Sequence, residues 1–333
     1  MDKPVRWGMI GCGSVTERKS APAYQRVEGS MLVAVAARRF EAAQEYAQRH
    51  SIEKVFDDPA ALIHSPEVDA VYIATPPDSH LRYALQVAAA GKPCCVEKPI
   101  AMSFDEAATM VAAFEHARQS LFVAYYRRSL PRFDTVREWL RKGAIGSVRH
   151  VNWTLTRTPK APDGSGGGGW RTQPASAPRG YFDDLACHGL DLLDDLLGPI
   201  AEMSGFSTNQ NGLYDVPDAF AASWLHDDGI TGTGTWNFAS PFRRDHVLIA
   251  GELGEIEFSV FDDHEVRLTT ADHVQAVIVD NPDPIQLPHV SNMIASLRNG
   301  SPHPSTGESA MRTAWVMDQL GKGSQRNARA TRR

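Results

Sequence analysis

The order in which apolar patterns follow one another over the first 125 residues constrains this chain more than any other feature. Short runs that are apolar almost throughout, "VRWGMI" (5–10), "MLVAVAA" (31–37), "DAVYIAT" (69–75), "PCCVE" (93–97) and "LFVAYY" (121–126), alternate with longer stretches. In "FEAAQEYAQRH" (40–50), "SHLRYALQVAAAG" (79–91) and "SFDEAATMVAAFEHA" (103–117) the apolar residues recur at three- and four-residue spacing, the helical period. A strand that is apolar on both faces must be covered on both, and the helices joining such strands supply the cover. The pattern predicts an α/β domain, a doubly wound parallel sheet over residues 1–124.

Beyond it the pattern changes. A helix is expected from Pro131 to Lys142 and a strand at 147–157, followed by a glycine-rich loop at 158–180 of a length typical of lids. A helix from Asp184 to Leu197 comes next. "DAFAASWLHDDGITGTGTWNF" reads as a hairpin turning at Asp-Asp-Gly, and "DHVLIAGELGEIEFSV" as a second. Helices near 288–299 and 307–320 close a second, α+β domain with a largely antiparallel sheet over 125–320, and 321–333 reads as a flexible basic tail.

Bulk properties narrow the class. The 333 residues exceed one ordinary core and fit two domains, and 42% hydrophobic with 22% charged residues is a globular composition. A net charge of −6 provides no basic field for nucleic acid or an anionic membrane. With no 18-residue apolar run and no signal-peptide core, the expected compartment is the cytoplasm. Cys12, Cys94, Cys95 and Cys187 lack metal-ligand or disulfide spacing, so reduced thiols and no metal are expected.

The first turn, "GMIGCGSVT", carries Gly8, Gly11 and Gly13, then Ser14, Val15 and Thr16, where a dinucleotide fingerprint would place its third glycine. One glycine permits a tight turn and the next lets a pyrophosphate approach backbone at a helix N-terminus. The motif gains weight because it follows a strand and opens a helix. At the end of the second strand, where an acid would accept from a ribose 2′-hydroxyl, stand Ala36 and Ala37, then Arg38 and Arg39. Guanidinium groups suit a 2′-phosphate, so NADP(H) is expected in preference to NAD(H); the alternative is that both arginines open a solvated helix.

In a 3-2-1-4-5-6 strand order the cofactor crosses beside the carboxyl ends of strands 1 and 4. "ATPPDSH" ends strand 4 and "EKP" ends strand 5, which places Thr75, Pro76, Pro77, His80, Glu97 and Lys98 at the nicotinamide half. His80 reads equally well as a surface residue of a helix start. In "GYFDDLACHGLDLLDDLLG", Asp184, His188, Asp191 and Asp195 fall on one helical stripe, and Asp184 one turn before His188 can orient its ring for proton transfer. A solvated acidic face is the alternative, favoured for Asp194 and Asp195.

Taken together, "GMIGCGSV", "TPPDSH", "EKP" and the D-x-x-x-H helix, in this order, resemble the Gfo/Idh/MocA family over residues 4–320, including "PSTGESAMRTAWVMDQL". The resemblance implies a Rossmann domain, an open-faced sheet that pairs subunits into a homodimer or homotetramer, and Lys98, Asp184 and His188 as catalytic residues. Ala36-Ala37-Arg38 looks like the NADP-preferring branch, similar to dihydrodiol dehydrogenases and anhydrofructose reductases. Trp170-Arg171 matches the family's Trp-Arg pair, but the glycine run usual just before the helix is absent, and the loop between the pair and the helix is this chain's own. The implied reaction is hydride transfer between nicotinamide and a carbonyl or secondary alcohol of a sugar, sugar derivative or cyclitol. Tyr125, Arg127, Trp170, Arg171 and Asp191 are candidate substrate contacts. The alternatives are a dihydrodiol or other non-sugar substrate, or a non-catalytic NADP-binding regulator.

Overall fold

The computed structural model describes residues 3–159, 169–322 and 325–327. They fall into two compact units, one formed by residues 1–130 with 281–311, the other by 131–280 with 312–333.

In the first unit β1 (Val5–Ile10), β2 (Ser30–Ala36), β3 (Lys54–Phe56), β4 (Ala70–Ile73), β5 (Cys94–Val96) and β6 (Leu121–Val123) pair in the order β3-β2-β1-β4-β5-β6. Every pairing is parallel. The helices between them are α1 (Ala21–Arg26), α2 (Phe40–His50), α3 (Pro59–His64), α4 (His80–Ala89) and α5 (Phe104–Ala117). β3 has no apolar run in the sequence because it is a three-residue edge strand, partly exposed along its length. Two helix starts are fixed locally: the Asp58 carboxylate accepts from Ala60 N–H, and Ser103 Oγ accepts from Glu106 N–H.

The cut expected at residue 124 is replaced by a chain that returns to the first unit. The reason is packing. α8 (Leu287–Asn299) lays Val290, Met293 and Ile294 onto a buried cluster that contains Trp7, Tyr24 and Tyr72. Burying one such side chain contributes about 1.5–3 kcal/mol, so α8 is part of this core.

The second unit holds β7 (Val148–Thr156), β8 (Ile200–Asn209), β9 (Ala219–His226), β10 (Thr231–Asn237), β11 (Arg244–Gly251), β12 (Gly254–Phe258), β13 (Val266–Thr270), β14 (Val274–Val277) and β15 (Gln325–Asn327). Their order is β14-β13-β12-β11-β7-β10-β9-β8-β15, antiparallel except at β7–β10 and β15–β8. Both expected hairpins form, as β9–β10 and β11–β12. Its helices are α6 (Pro131–Arg141), α7 (Cys187–Leu197) and the later part of α9 (Gly307–Lys322). Residues 325–327 of the expected flexible tail are paired into the sheet, and 328–333 lie outside the described residues.

One face of this sheet carries Trp153, Trp224 and Trp236, all buried. Small neighbours make room for them. A Cβ on Gly189 of α7 would lie 2.2 Å from the Trp153 ring, and one on Gly232 would lie 2.0 Å from Trp224. The glycines of "TGTGTW" therefore follow from packing, which costs the strand some intrinsic stability.

Candidate active site

The fingerprint turn separates its glycines by role. Gly11 has φ +108°, and a Cβ there would sit 2.7 Å from the Ala74 carbonyl oxygen, so no side chain is admitted. Around a Cβ on Gly13 nothing lies within 4 Å, which leaves open space above the turn. Gly8 belongs to β1 instead, where a Cβ would meet Leu62 of α3 at 2.6 Å. Thr16, at the third-glycine position, is buried; its hydroxyl donates to Gly13 O at 2.8 Å, and its own carbonyl accepts from Tyr46 OH at 2.9 Å. The turn it opens, Thr16–Ser20, is π-helical before α1 begins. Between the glycines, burial and the nearby Glu17 push the Cys12 thiol up to about 12, so it remains protonated.

Above this turn lies a cleft of about 620 Å³, lined among others by Gly11, Gly13, Arg38, Arg39, Thr75 and Pro76. That volume is in the range of small-molecule sites. The residues fit a dinucleotide: backbone is exposed at Gly13, and guanidinium groups stand at the end of β2 where no acid does. Ser14 and Val15 are on the same turn but are not part of the lining. The lining also includes Arg82 and Tyr83, which the sequence reading missed; both stand in the first turn of α4, directly after "TPPDSH".

The remaining residues of the two strand ends have structural positions. Pro77 is buried in a 3₁₀ turn. His80 is fully buried, with Nδ1 3.0 Å from Pro99 O and Nε2 2.8 Å from Thr75 O. It thus ties the exit of β4 to the exit of β5. Desolvation lowers its pKa in spite of the surrounding carbonyls, which favours the neutral ring. A bonded core histidine replaces the surface or cofactor-facing one. Glu97 is 5% exposed and turned inward. It accepts from Tyr72 OH at 2.7 Å, from Gln286 Nε2 at 3.3 Å and from Lys98 N–H at 3.3 Å. Lys98 itself is half-buried, and the Lys98–Pro99 peptide is cis.

Beyond β6, Tyr125 and Arg127 are buried. Between them stands Tyr126, which the sequence reading passed over. Burial alone would raise the pKa of this phenol, but Arg127, Lys19 and Lys98 together outweigh it and leave the pKa below the usual value. The Arg127 guanidinium also lies 4.9 Å from the Tyr126 ring centroid.

In the second unit the expected stripe is rearranged. Phe182–Ala186 forms a π-helical turn and α7 starts only at Cys187, so Asp184 and His188 do not share one regular helix. Asp184 accepts from Arg171 Nε at 2.5 Å, and the same guanidinium lies 4.8 Å from the Trp170 ring centroid. The Trp-Arg pair is therefore joined to the Asp of the D-x-x-x-H stretch. His188 is 5% exposed and meets Phe261 edge-on at 5.8 Å. Asp191 is fully buried and accepts from Thr313 Oγ1 at 3.2 Å. The solvated face expected for Asp194 and Asp195 is absent: Asp194 pairs with Arg312 at 2.7 Å and Asp195 with Arg137 at 2.8 Å. The middle of the expected lid, 160–168, lies outside the described residues. Among those described, no cluster of three or more His, Cys, Asp or Glu is arranged to hold a metal, and no helix is long and apolar enough to cross a membrane.

Comparison with known proteins settles the family. Residues 5–125 match the oxidoreductase family with an NAD-binding Rossmann fold, and residues 133–257 match the GFO/IDH/MocA C-terminal domain. Oxidoreductase P35 of Formosa agariphila is 32% identical over 96% of this chain and 98% of its own length. The chain belongs to the Gfo/Idh/MocA family. It is an NAD(P)-dependent oxidoreductase. The D-apiose dehydrogenase of Paraburkholderia graminis is 27% identical over 95% of this chain and 86% of its own length. The trans-1,2-dihydrobenzene-1,2-diol dehydrogenase of Danio rerio is 33% identical over about half of each chain, 50% and 51%. Among solved structures, levoglucosan dehydrogenase with NADH and levoglucosan superposes with a TM-score of 0.85 at 22% identity, covering 96% of this chain and 97% of that one. At that identity the superposition speaks for the fold.

Proposed function

We infer that this enzyme is NADP(H)-dependent and transfers a hydride to or from the carbonyl or secondary alcohol carbon of a sugar, sugar derivative or cyclitol. The observation that carries the cofactor choice is the lining of the Rossmann cleft, where Arg38 and Arg39 follow two alanines at the exit of β2 and the stretch contributes no carboxylate. The substrate class is supported by the D-apiose dehydrogenase, which aligns along nearly the whole chain.

A nicotinamide cofactor bound in this cleft would supply or take the hydride. In the reducing direction negative charge grows on the carbonyl oxygen, and the Lys98 ammonium stabilises it. His188 delivers the proton, and Asp184 supports this from a carboxylate already held by Arg171. Lys98 and His188 can exchange these two roles. Tyr125, Arg127, Trp170, Arg171 and Asp191 serve as hydroxyl contacts or as their supports. A cytoplasmic location and self-association through the open face of the second sheet, where Phe206 is 66% exposed, complete this reading.

The test is consumption of NADPH and NADH against cyclic ketones, ketoses, sugar aldehydes and a trans-dihydrodiol, with Lys98→Met alongside. NADPH-dependent turnover of sugars, lost in the variant, is expected. Turnover of the dihydrodiol alone would favour the second reading, which the Danio rerio relative raises. Undiminished turnover by the variant would remove Lys98 from the mechanism.

A further inference from the structure

The cofactor cleft has a second wall. Arg38 and Arg39 line it after β2, while Arg82 and Tyr83 line it from the first turn of α4, which leaves the sheet after β4. The Arg82 guanidinium lies 4.4 Å from the Tyr83 ring centroid. Stacking on an aromatic face restrains an otherwise floppy side chain and leaves its N–H edge available.

The charge balance sets this group apart. Arg6 and Arg49, also at the surface of the first unit, are each fastened to a carboxylate, Asp69 and Glu17. Arg38, Arg39 and Arg82 have no carboxylate partner among the described residues, and Asp78 is the single acid on the cleft lining. Three guanidinium groups facing one acid in a cleft favour a ligand bearing a compact double negative charge.

We propose that Arg82, held on Tyr83, is a specificity-determining residue that binds the 2′-phosphate of 2′-phosphorylated adenosine from the wall opposite Arg38 and Arg39. This rests on the NADP(H) reading above and adds to it. Selectivity is divided between two elements, the β2 exit and the α4 start, so the β2 end alone does not set it. Because Arg82 is an exposed helix residue, its removal leaves the core intact.

The experiment is titration of the purified full-length chain with 2′,5′-ADP and with 5′-ADP, comparing wild type, Arg82→Ala, Arg82→Lys and Arg38→Ala, with thermal unfolding as a control for folding. Arg82→Ala is expected to weaken 2′,5′-ADP at least about tenfold, the value of one charge-assisted contact, while 5′-ADP stays within about twofold. Arg82→Lys, which keeps the charge but loses the fork, is expected to fall between. The salt dependence of 2′,5′-ADP binding should also decrease in Arg82→Ala. If wild type binds the two nucleotides equally, the NADP(H) reading itself fails. If wild type prefers 2′,5′-ADP and Arg82→Ala keeps that preference, while Arg38→Ala loses it, only the role of Arg82 is overturned. Equal weakening of both nucleotides would place Arg82 at the adenine or diphosphate and would also overturn it.

Discussion

Tyr72 of β4 donates its phenol proton to Glu97 at the end of β5 across 2.7 Å, and both residues are buried. The carboxylate also accepts from Gln286 and from the Lys98 backbone, so the "EKP" stretch is held from inside by its glutamate. Burial and the Glu97 charge keep Tyr72 protonated as the donor.

Replacing Glu97 with Ala strands three donors at once. We expect a loss of stability of roughly 2–4 kcal/mol, the cost of leaving buried polar groups unsatisfied. Tyr72→Phe, which removes one bond, should cost about 1 kcal/mol. Glu97→Gln keeps an acceptor and should fall between the two. Urea unfolding monitored by fluorescence measures all three, and an Ala variant as stable as wild type would refute the anchoring role.

Gly11 and Gly13 should dissociate fold from binding. Gly11→Ala forces a side chain into φ +108° and against the Ala74 carbonyl, so a drop in melting temperature is expected before any ligand is added. Gly13→Ala meets no protein atom and should melt near wild type, yet its methyl group would fill the space above the turn. Its NADPH affinity should fall at least about tenfold. Calorimetry of both variants, with and without NADPH, provides the comparison.

The three cations acting on Tyr126 have an optical consequence. Tyrosinate absorbance should appear below the ordinary value of 10, and Tyr126→Phe should remove that early step. Removing a cation with Lys98→Met should move it upward, because a positive neighbour favours the phenolate. An unchanged titration in both variants would mean that the Tyr126 phenol ionises elsewhere in the pH range.

His303 imposes an acid limit on stability. Buried against Phe122 and His289, with Arg128 nearby, its pKa is lowered from 6.5 to about 4. The unfolded chain therefore binds a proton more readily between these values, and stability falls as the pH drops from 6.5 towards about 4. The full loss from this group is about 3 kcal/mol. His303→Gln should flatten this part of the pH–stability curve, read from urea midpoints across the window. His289, whose pKa burial also lowers, contributes in the same direction.

The sequence by itself determined what repeats locally. Apolar runs with helical stretches between them specify a doubly wound sheet, because each strand must be covered on both faces, and the turn residues of both hairpins are visible as such. Gly11, Arg38 and Thr75 could be placed at strand ends from the strand order alone. Tertiary structure decided whatever depends on partners distant in the chain. Glu97 turns inward because Tyr72 and Gln286, 25 and 189 residues away, meet it there. Asp194 is buried because Arg312 reaches it, and a helical wheel has no means of showing an arginine 118 residues further on. The same limit hid the return of α8 to the first core and the membership of Arg82 in the cofactor cleft. Periodicity reports which face of an element is apolar, whereas the neutralisation of a buried charge depends on the long-range contact that supplies its partner.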